Sequence, residues 1–335
     1  MNQAVVFGHE VKLKGVLSYP QEKSKKHSAF LIIGGSGEFD MNGNIKGINT
    51  DTYRKLSDFL NENDFITLRY SKRGIAGSEG NYYETGVEEL LNDIEVAYTF
   101  LSEQEEVDEN NIFIIGHSEG AILSTIYSTL NKKLSGMILL SGAGTDLRTA
   151  QIRMYEYAQK EIQSLSGLKG TLFRFLSNNK KIVEKRKKFF HSIMNNKRIH
   201  SGRKTQIKWY KEHLAFTQEK IKTLLYANDI PILCVFGSKD IQSNIKDLDR
   251  KKENISVVEI KGMDHMLYTT KYQPTVVNQK KLFLQEASLP LSQELKQTIS
   301  NWLCTIKIIP PFPENYTKEK VKEVIKRCLV SKHYK

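Results

Sequence analysis

Cysteine is scarce in this chain of 335 residues, which has only Cys234, Cys304 and Cys328. An odd number without metal-ligand spacing excludes a disulfide framework, and Cys234, set in an apolar run, reads as a core thiol. Long hydrophobic stretches are missing as well. Residues 1–10 have neither the basic start nor the sustained apolar run of a secretory signal, and no later segment approaches the roughly 20 apolar residues of a membrane span. The expectation is a soluble, cytoplasmic protein. No Lys-Ser or Lys-Thr follows a glycine loop at Walker spacing, and the dinucleotide pattern G-x-G-x-x-G is absent, which removes the nucleotide-binding readings. Asp40 to Asn44 fails the spacing of a calcium loop and reads as a polar turn, so neither a metal nor a cofactor is called for. There are no internal repeats and no low-complexity tracts.

What the chain does have is enough apolar residues, 39%, to bury a large core, and a formal charge of +12 that is unevenly placed. Residues 145–229 hold 19 Lys and Arg against 7 Asp and Glu, whereas the rest of the chain is balanced at 31 of each. The densest part is Lys180-Lys181-Ile182-Val183-Glu184-Lys185-Arg186-Lys187-Lys188, followed by Lys197-Arg198 and Arg203-Lys204. Such a run is ordinarily a solvated helix face, and in a sharper reading it draws an anionic substrate or surface.

The apolar pattern alternates between strands and helices, as in a mostly parallel sheet with helices on both faces. Residues 4–19 read as an antiparallel pair. Strands are expected at 29–33, 65–70, 112–115, 137–140, 231–236 and 255–260, with amphipathic helices around Leu56, Phe59 and Leu60 and from Val87 to Tyr98. After residue 144 the alternation stops for about 85 residues of helical pattern, rich in aromatics and basic residues. This gives core residues 1–144, a basic helical cap at 145–229 between the sixth and seventh strands, core residues 230–304, and an extension at 305–335 with one amphipathic helix. Most of the cap's aromatics are expected to form its own core.

Gly116-His117-Ser118-Glu119-Gly120 directly follows Ile112-Phe113-Ile114-Ile115, and Ala121, Ile122, Ile126 and Leu130 then recur at helical spacing. Strand, sharp turn and helix are what a nucleophile elbow requires, with Gly116 and Gly120 letting strand and helix approach around a strained turn that exposes the Ser118 hydroxyl. A serine hydroxyl needs a base oriented by a third group. His265 lies in the loop after the last strand, and Asp240 in the loop after the strand before it. Loops at the carboxyl ends of parallel strands converge, so the three can meet. Asp264, Asp247 and Asp249 are the rivals for the acid. His117 is too constrained in direction to act as the base, and His191, His200 and His213 fall in the cap. For a developing oxyanion the backbone N–H of Glu119 is one expected donor. The other comes from Gly34-Gly35-Ser36-Gly37, with Ser36 N–H the first choice and Gly34, Gly35 and Gly37 supporting the turn.

The segments from Gly34 to Asn44, Arg69-Tyr70-Ser71-Lys72-Arg73-Gly74, Gly116-His117-Ser118-Glu119-Gly120 and Gly262-Met263-Asp264-His265 resemble the α/β-hydrolase fold superfamily. Within it they look like the bacterial serine esterase branch related to dienelactone hydrolase, over roughly residues 4–303. The resemblance implies an eight-stranded α/β-hydrolase fold with a helical cap and a carboxylic-ester hydrolase activity. The Gly34-Gly35 pair departs from the more usual His-Gly of that branch, the cap is unusually basic, and the tail from Thr305 is extra.

Together these readings predict a serine esterase working through Ser118, His265 and Asp240 and an acyl-enzyme. Its expected partner is a small-molecule acyl ester, an anionic one only under the sharper reading of the basic run; no nucleic acid is expected, and no motif speaks to oligomeric state. Two alternatives stand beside it: a thioesterase acting on an anionic carrier, and a non-catalytic ligand- or nucleic-acid-binding protein on a hydrolase fold. A peptidase is less favoured, since nothing resembles a gating domain.

Overall fold

A computed structural model of the chain describes residues 1–21, 26–130, 133–167, 170–172, 181–195, 205–275 and 279–306. The amphipathic helix expected in the C-terminal extension lies outside these residues, as do His200 and the basic pairs at 197–198 and 203–204. Strands β1 (Asn2–Phe7), β2 (Leu13–Ser18), β3 (His27–Ile33), β4 (Ile66–Tyr70), β5 (Val107–His117), β6 (Gly136–Leu140), β7 (Ile232–Gly237) and β8 (Ile255–Ile260) form one open sheet in the order β1-β2-β4-β3-β5-β6-β7-β8. β1 and β2 are antiparallel to their neighbours, and the other pairs are parallel.

The near-continuous apolar runs of the central strands follow from burial on both faces. Because side chains alternate, Leu31, Ile33, Ile112, Ile114, Met137 and Leu139 enter one core, and Phe30, Ile32, Phe113, Ile115, Ile138 and Leu140 enter the other. The first core is covered by α2 (Val87–Ser102) and α3 (Glu119–Tyr127), the second by α1 (Thr52–Asn61) and a closing helix over Gln293–Thr305. Each Leu or Ile buried in this way contributes about 2 kcal/mol.

Between β6 and β7 run α4 (Leu147–Ser164), α5 (Ile182–Met194), α6 (Ile207–Ala215) and α7 (Gln218–Ala227). Asp146 caps α4 by accepting the Thr149 N–H at 2.9 Å. Of the aromatics expected to serve the segment's own core, Phe190 and Trp209 are buried, but they join the core shared with α2 and α3, as do Leu214, Ile221 and Leu225. After β8 come α8 (Gln279–Glu286), which the pattern did not announce, and the closing helix, α9 (Gln293–Thr305). Helix α3 ends at Tyr127, so Leu130, expected on its apolar stripe, lies beyond it and is exposed. Among the described residues, no helix is long and apolar enough to cross a membrane.

Candidate active site

The parallel register brings the carboxyl ends of β3, β5, β6, β7 and β8 to one edge of the sheet: Ile33 pairs with Gly116, His117 with Leu140, and Gly237 with Ile260. Ser118 follows β5 at once, with φ 54° and ψ −116°, a backbone shape that a β-carbon resists and the surrounding turn enforces. The enforcement is steric. A Cβ at Gly116 would lie 2.3 Å from Gly120 O, one at Gly120 would lie 2.1 Å from Ile33 O, and one at Gly142 would lie 2.4 Å from Ser118 O. The turn closes only where those positions carry hydrogen.

Ser118 Oγ lies 3.0 Å from His265 Nε2, and His265 Nδ1 lies 2.9 Å from Asp240 Oδ2. The fold thus brings together the three residues expected to cooperate. Asp240 is buried and further held by the Ser243 hydroxyl at 2.6 Å and the Gln242 N–H at 2.7 Å. Burial would raise its carboxyl, but the facing imidazole and these donors hold it below the usual range. Burial would likewise favour neutral His265, yet the Asp240 carboxylate raises its affinity for a proton above that of a free imidazole. The rival acids are engaged elsewhere. Asp247 pairs with Arg153 and accepts from Thr145, Asp249 pairs with Lys222, and Asp264 accepts the Tyr268 N–H of its own loop. Asp40 Oδ1 accepts the N–H groups of Asn42 and Asn44, a self-contained polar turn.

Two networks around Ser118 were not legible in the sequence. In the first, burial drives the His117 pKa down to about 3, so the ring is neutral. Its Nε2 lies 2.8 Å from His265 O, a carbonyl that can only accept, so Nε2 carries the hydrogen and Nδ1 accepts from Tyr53 Oη at 3.0 Å. Tyr53 Oη in turn accepts the Gly35 N–H at 2.7 Å. This chain ties the glycine loop, α1, the elbow and the His265 loop together.

The second network centres on the Glu119 carboxylate, buried in the first turn of α3. Burial would raise its pKa, but Lys72 and His213 hold it well below the carboxylate range. Lys72 Nζ pairs with Oε2, Trp209 Nε1 donates to Oε1, and His213 Nε2 lies 3.0 Å from Oε1. Lys72 Nζ also donates to Gly35 O at 2.7 Å. The signal in the sequence was an acid heading a largely apolar helix that carries no other charge, a position that demands a counter-charge; which residue supplies it required the fold.

Ser118 opens into a cavity of about 210 Å³. Its walls include Ser36 from the glycine loop, Ser141 and Gly142 after β6, and Leu147, Ala150, Gln151 and Met154 at i, i+3, i+4 and i+7 on α4. Trp209 and His213 of α6 complete one side. Glu119 is the one carboxylate among the described lining residues, and it is already paired. The buried Ser141 hydroxyl has no hydrogen-bond partner among the described residues and sits on a residue with φ 52°. Chemically, the arrangement offers a hydroxyl within reach of an oriented imidazole, in a mostly apolar space.

Comparison with known proteins agrees with this architecture. The model of a family described as serine aminopeptidase, S33, matches residues 47–268. Among solved structures, the chain is similar to the α/β hydrolase GrgF from Penicillium sp. sh18, with TM-score 0.54 and 15% identity over 86% of this chain and 99% of that one. It is similar to Est1E from Butyrivibrio proteoclasticus, with TM-score 0.52 and 15% identity over 90% and 99%. The Pyrococcus furiosus esterase Pf2001 gives TM-score 0.53 and 14% identity over 91% of each chain. No curated protein matches by sequence. These likenesses concern the fold, and the family match does not bear on the narrower dienelactone-hydrolase branch.

Proposed function

Since the chain belongs to the serine aminopeptidase S33 family of α/β hydrolases, we propose that it is a serine esterase acting on a small acyl ester. Residues 145–229 serve as its basic cap. The observation that carries this reading is the unbroken hydrogen-bonded path from Ser118 Oγ through His265 to Asp240. His265 Nε2 takes the hydroxyl proton as Ser118 Oγ attacks the acyl carbon, and the tetrahedral oxyanion lies against the N–H groups of Glu119 and Ser36. The proton passes to the departing alcohol, leaving an acyl-enzyme. Water, deprotonated by the same imidazole, then releases the acid. Asp240 holds the ring in the tautomer that presents Nε2 unprotonated and stabilises the imidazolium that forms.

The family description raises an aminopeptidase reading, in which a carboxylate must hold the substrate's free ammonium. Glu119, paired with Lys72 and further engaged by Trp209 and His213, offers no such partner. An ester without a free ammonium therefore suits the cavity better than a peptide amino terminus.

The test is hydrolysis of a panel of short p-nitrophenyl esters. Ser118→Ala should lower kcat by about 10⁴- to 10⁶-fold, with an unchanged melting temperature. Turnover retained by that variant on any ester the wild type cleaves refutes the proposal. A fluorophosphonate probe should label the wild type at Ser118 and leave the variant untouched.

A further inference from the structure

Lys72 does more than neutralise Glu119. It stands in the turn after β4, and the turn itself is pinned: Arg73 Nε donates to Asp93 Oδ2 at 2.9 Å and Arg73 Nη2 to Glu89 O at 3.1 Å, while Gly74 N–H donates to Glu79 O at 2.8 Å. From this fixed base the ammonium reaches two acceptors, the Glu119 carboxylate and Gly35 O. Pairing with Glu119 alone would satisfy the charge; the bond to Gly35 O at 2.7 Å is additional.

The peptide unit supplies the consequence. A trans peptide carries its C=O and its N–H on opposite sides, so holding Gly35 O fixes the direction of the Ser36 N–H. Gly35 is then held on both flanks, since its own N–H is bound by Tyr53 Oη. Ser36 lines the cavity with Ser118, and a Cβ at Gly35 would already lie 3.2 Å from the Ser118 Cβ. A cation on the carbonyl also polarises the peptide and makes its N–H a stronger donor.

We propose that Lys72 is a positioning residue: its ammonium, anchored by the Glu119 carboxylate, turns the Gly35–Ser36 peptide so that the Ser36 N–H faces the oxyanion. Glu119 thereby serves both donors, one through its own N–H and the other through its side chain and Lys72. This inference rests on the serine esterase reading.

Lys72→Met takes the lysine cation from a buried carboxylate and endangers the fold, so it is tested beside the double variant Lys72→Met/Glu119→Gln. In whichever of these melts cooperatively, kcat on a short p-nitrophenyl ester should fall about 10- to 100-fold with KM within about twofold, as for loss of an oxyanion donor. Affinity for a trifluoromethyl ketone, whose Ser118 adduct bears an oxyanion, should fall by the same factor, while inhibition by the product acid stays level. A folded variant with kcat within about twofold of wild type overturns the inference. So does a crystal structure of the wild-type trifluoromethyl ketone adduct in which Lys72 has left Gly35 O, or in which Ser36 N–H points away from the adduct oxygen. That second measurement decides the matter even if neither variant folds. A wild type that fluorophosphonate fails to label at Ser118 sinks the esterase reading and this inference together; labelled wild type with unaffected Lys72 variants sinks this inference alone.

Discussion

At the scale of single residues, the imidazole of His265 works against its surroundings. Burial favours the neutral ring, yet the Asp240 carboxylate wins and raises its pKa above the ordinary value of 6.5. In the proposed role of general base it must be unprotonated, so kcat/KM should rise with pH along a limb whose midpoint lies above 6.5 and fade at lower pH. Asp240→Asn removes the cause of the shift. Its limb should move to lower pH, and kcat should drop by about 10⁴-fold because the ring loses its orienting acceptor. A pH–rate profile of the two proteins checks both, and an unmoved limb contradicts the assignment. Asp240 and His265 were legible because a polar loop follows each of two clear strands. His117 and Glu119 were read only for their place beside Ser118. Their partners Tyr53, Lys72 and His213 come from distant segments, and no local pattern announces a contact set by how helices dock.

At the scale of elements, the strand–turn–helix around Ser118 was readable because its glycines have no substitute. Gly120→Ala would drive a methyl group against Ile33 O, a backbone atom of the central sheet that cannot yield without breaking β3 from β5. The expected loss is more than about 3 kcal/mol, seen as a lowered melting temperature or insoluble expression. A variant as stable as wild type would mean that the helix stands further from the sheet than described. The end of α3 was misjudged for an equally local reason: Leu130 kept the apolar spacing although the chain had already turned out to solvent. Periodicity registers residue type, and it does not register where hydrogen bonding stops.

At the scale of the whole molecule, eight strands and most of the helices between them, α8 excepted, were foreseeable, because strands buried on both faces are uniformly apolar and stand apart from amphipathic helices. The relation of the 145–229 segment to the core was not. Its composition marks it off as basic and aromatic, whereas Ile221 and Leu225 of α7 lie in the same core as Leu123 and Ile126 of α3. Leu225→Ala should therefore destabilise the entire protein by about 2–5 kcal/mol in a single unfolding transition. Urea denaturation followed by both fluorescence and circular dichroism tests this, and two separate transitions would mark an independent unit. Helix α6 is fastened too, since Glu212 accepts the N–H groups of Val87 and Glu88 at the start of α2, and Trp209 and His213 meet Glu119. With that wall fixed, the adjustable boundary of the chamber is the face of α4 at Leu147, Ala150, Gln151 and Met154. On the proposed esterase reading, selectivity can thus drift by repainting one helix stripe, four codons wide, while the residues assigned to proton transfer and their supports stay as they are.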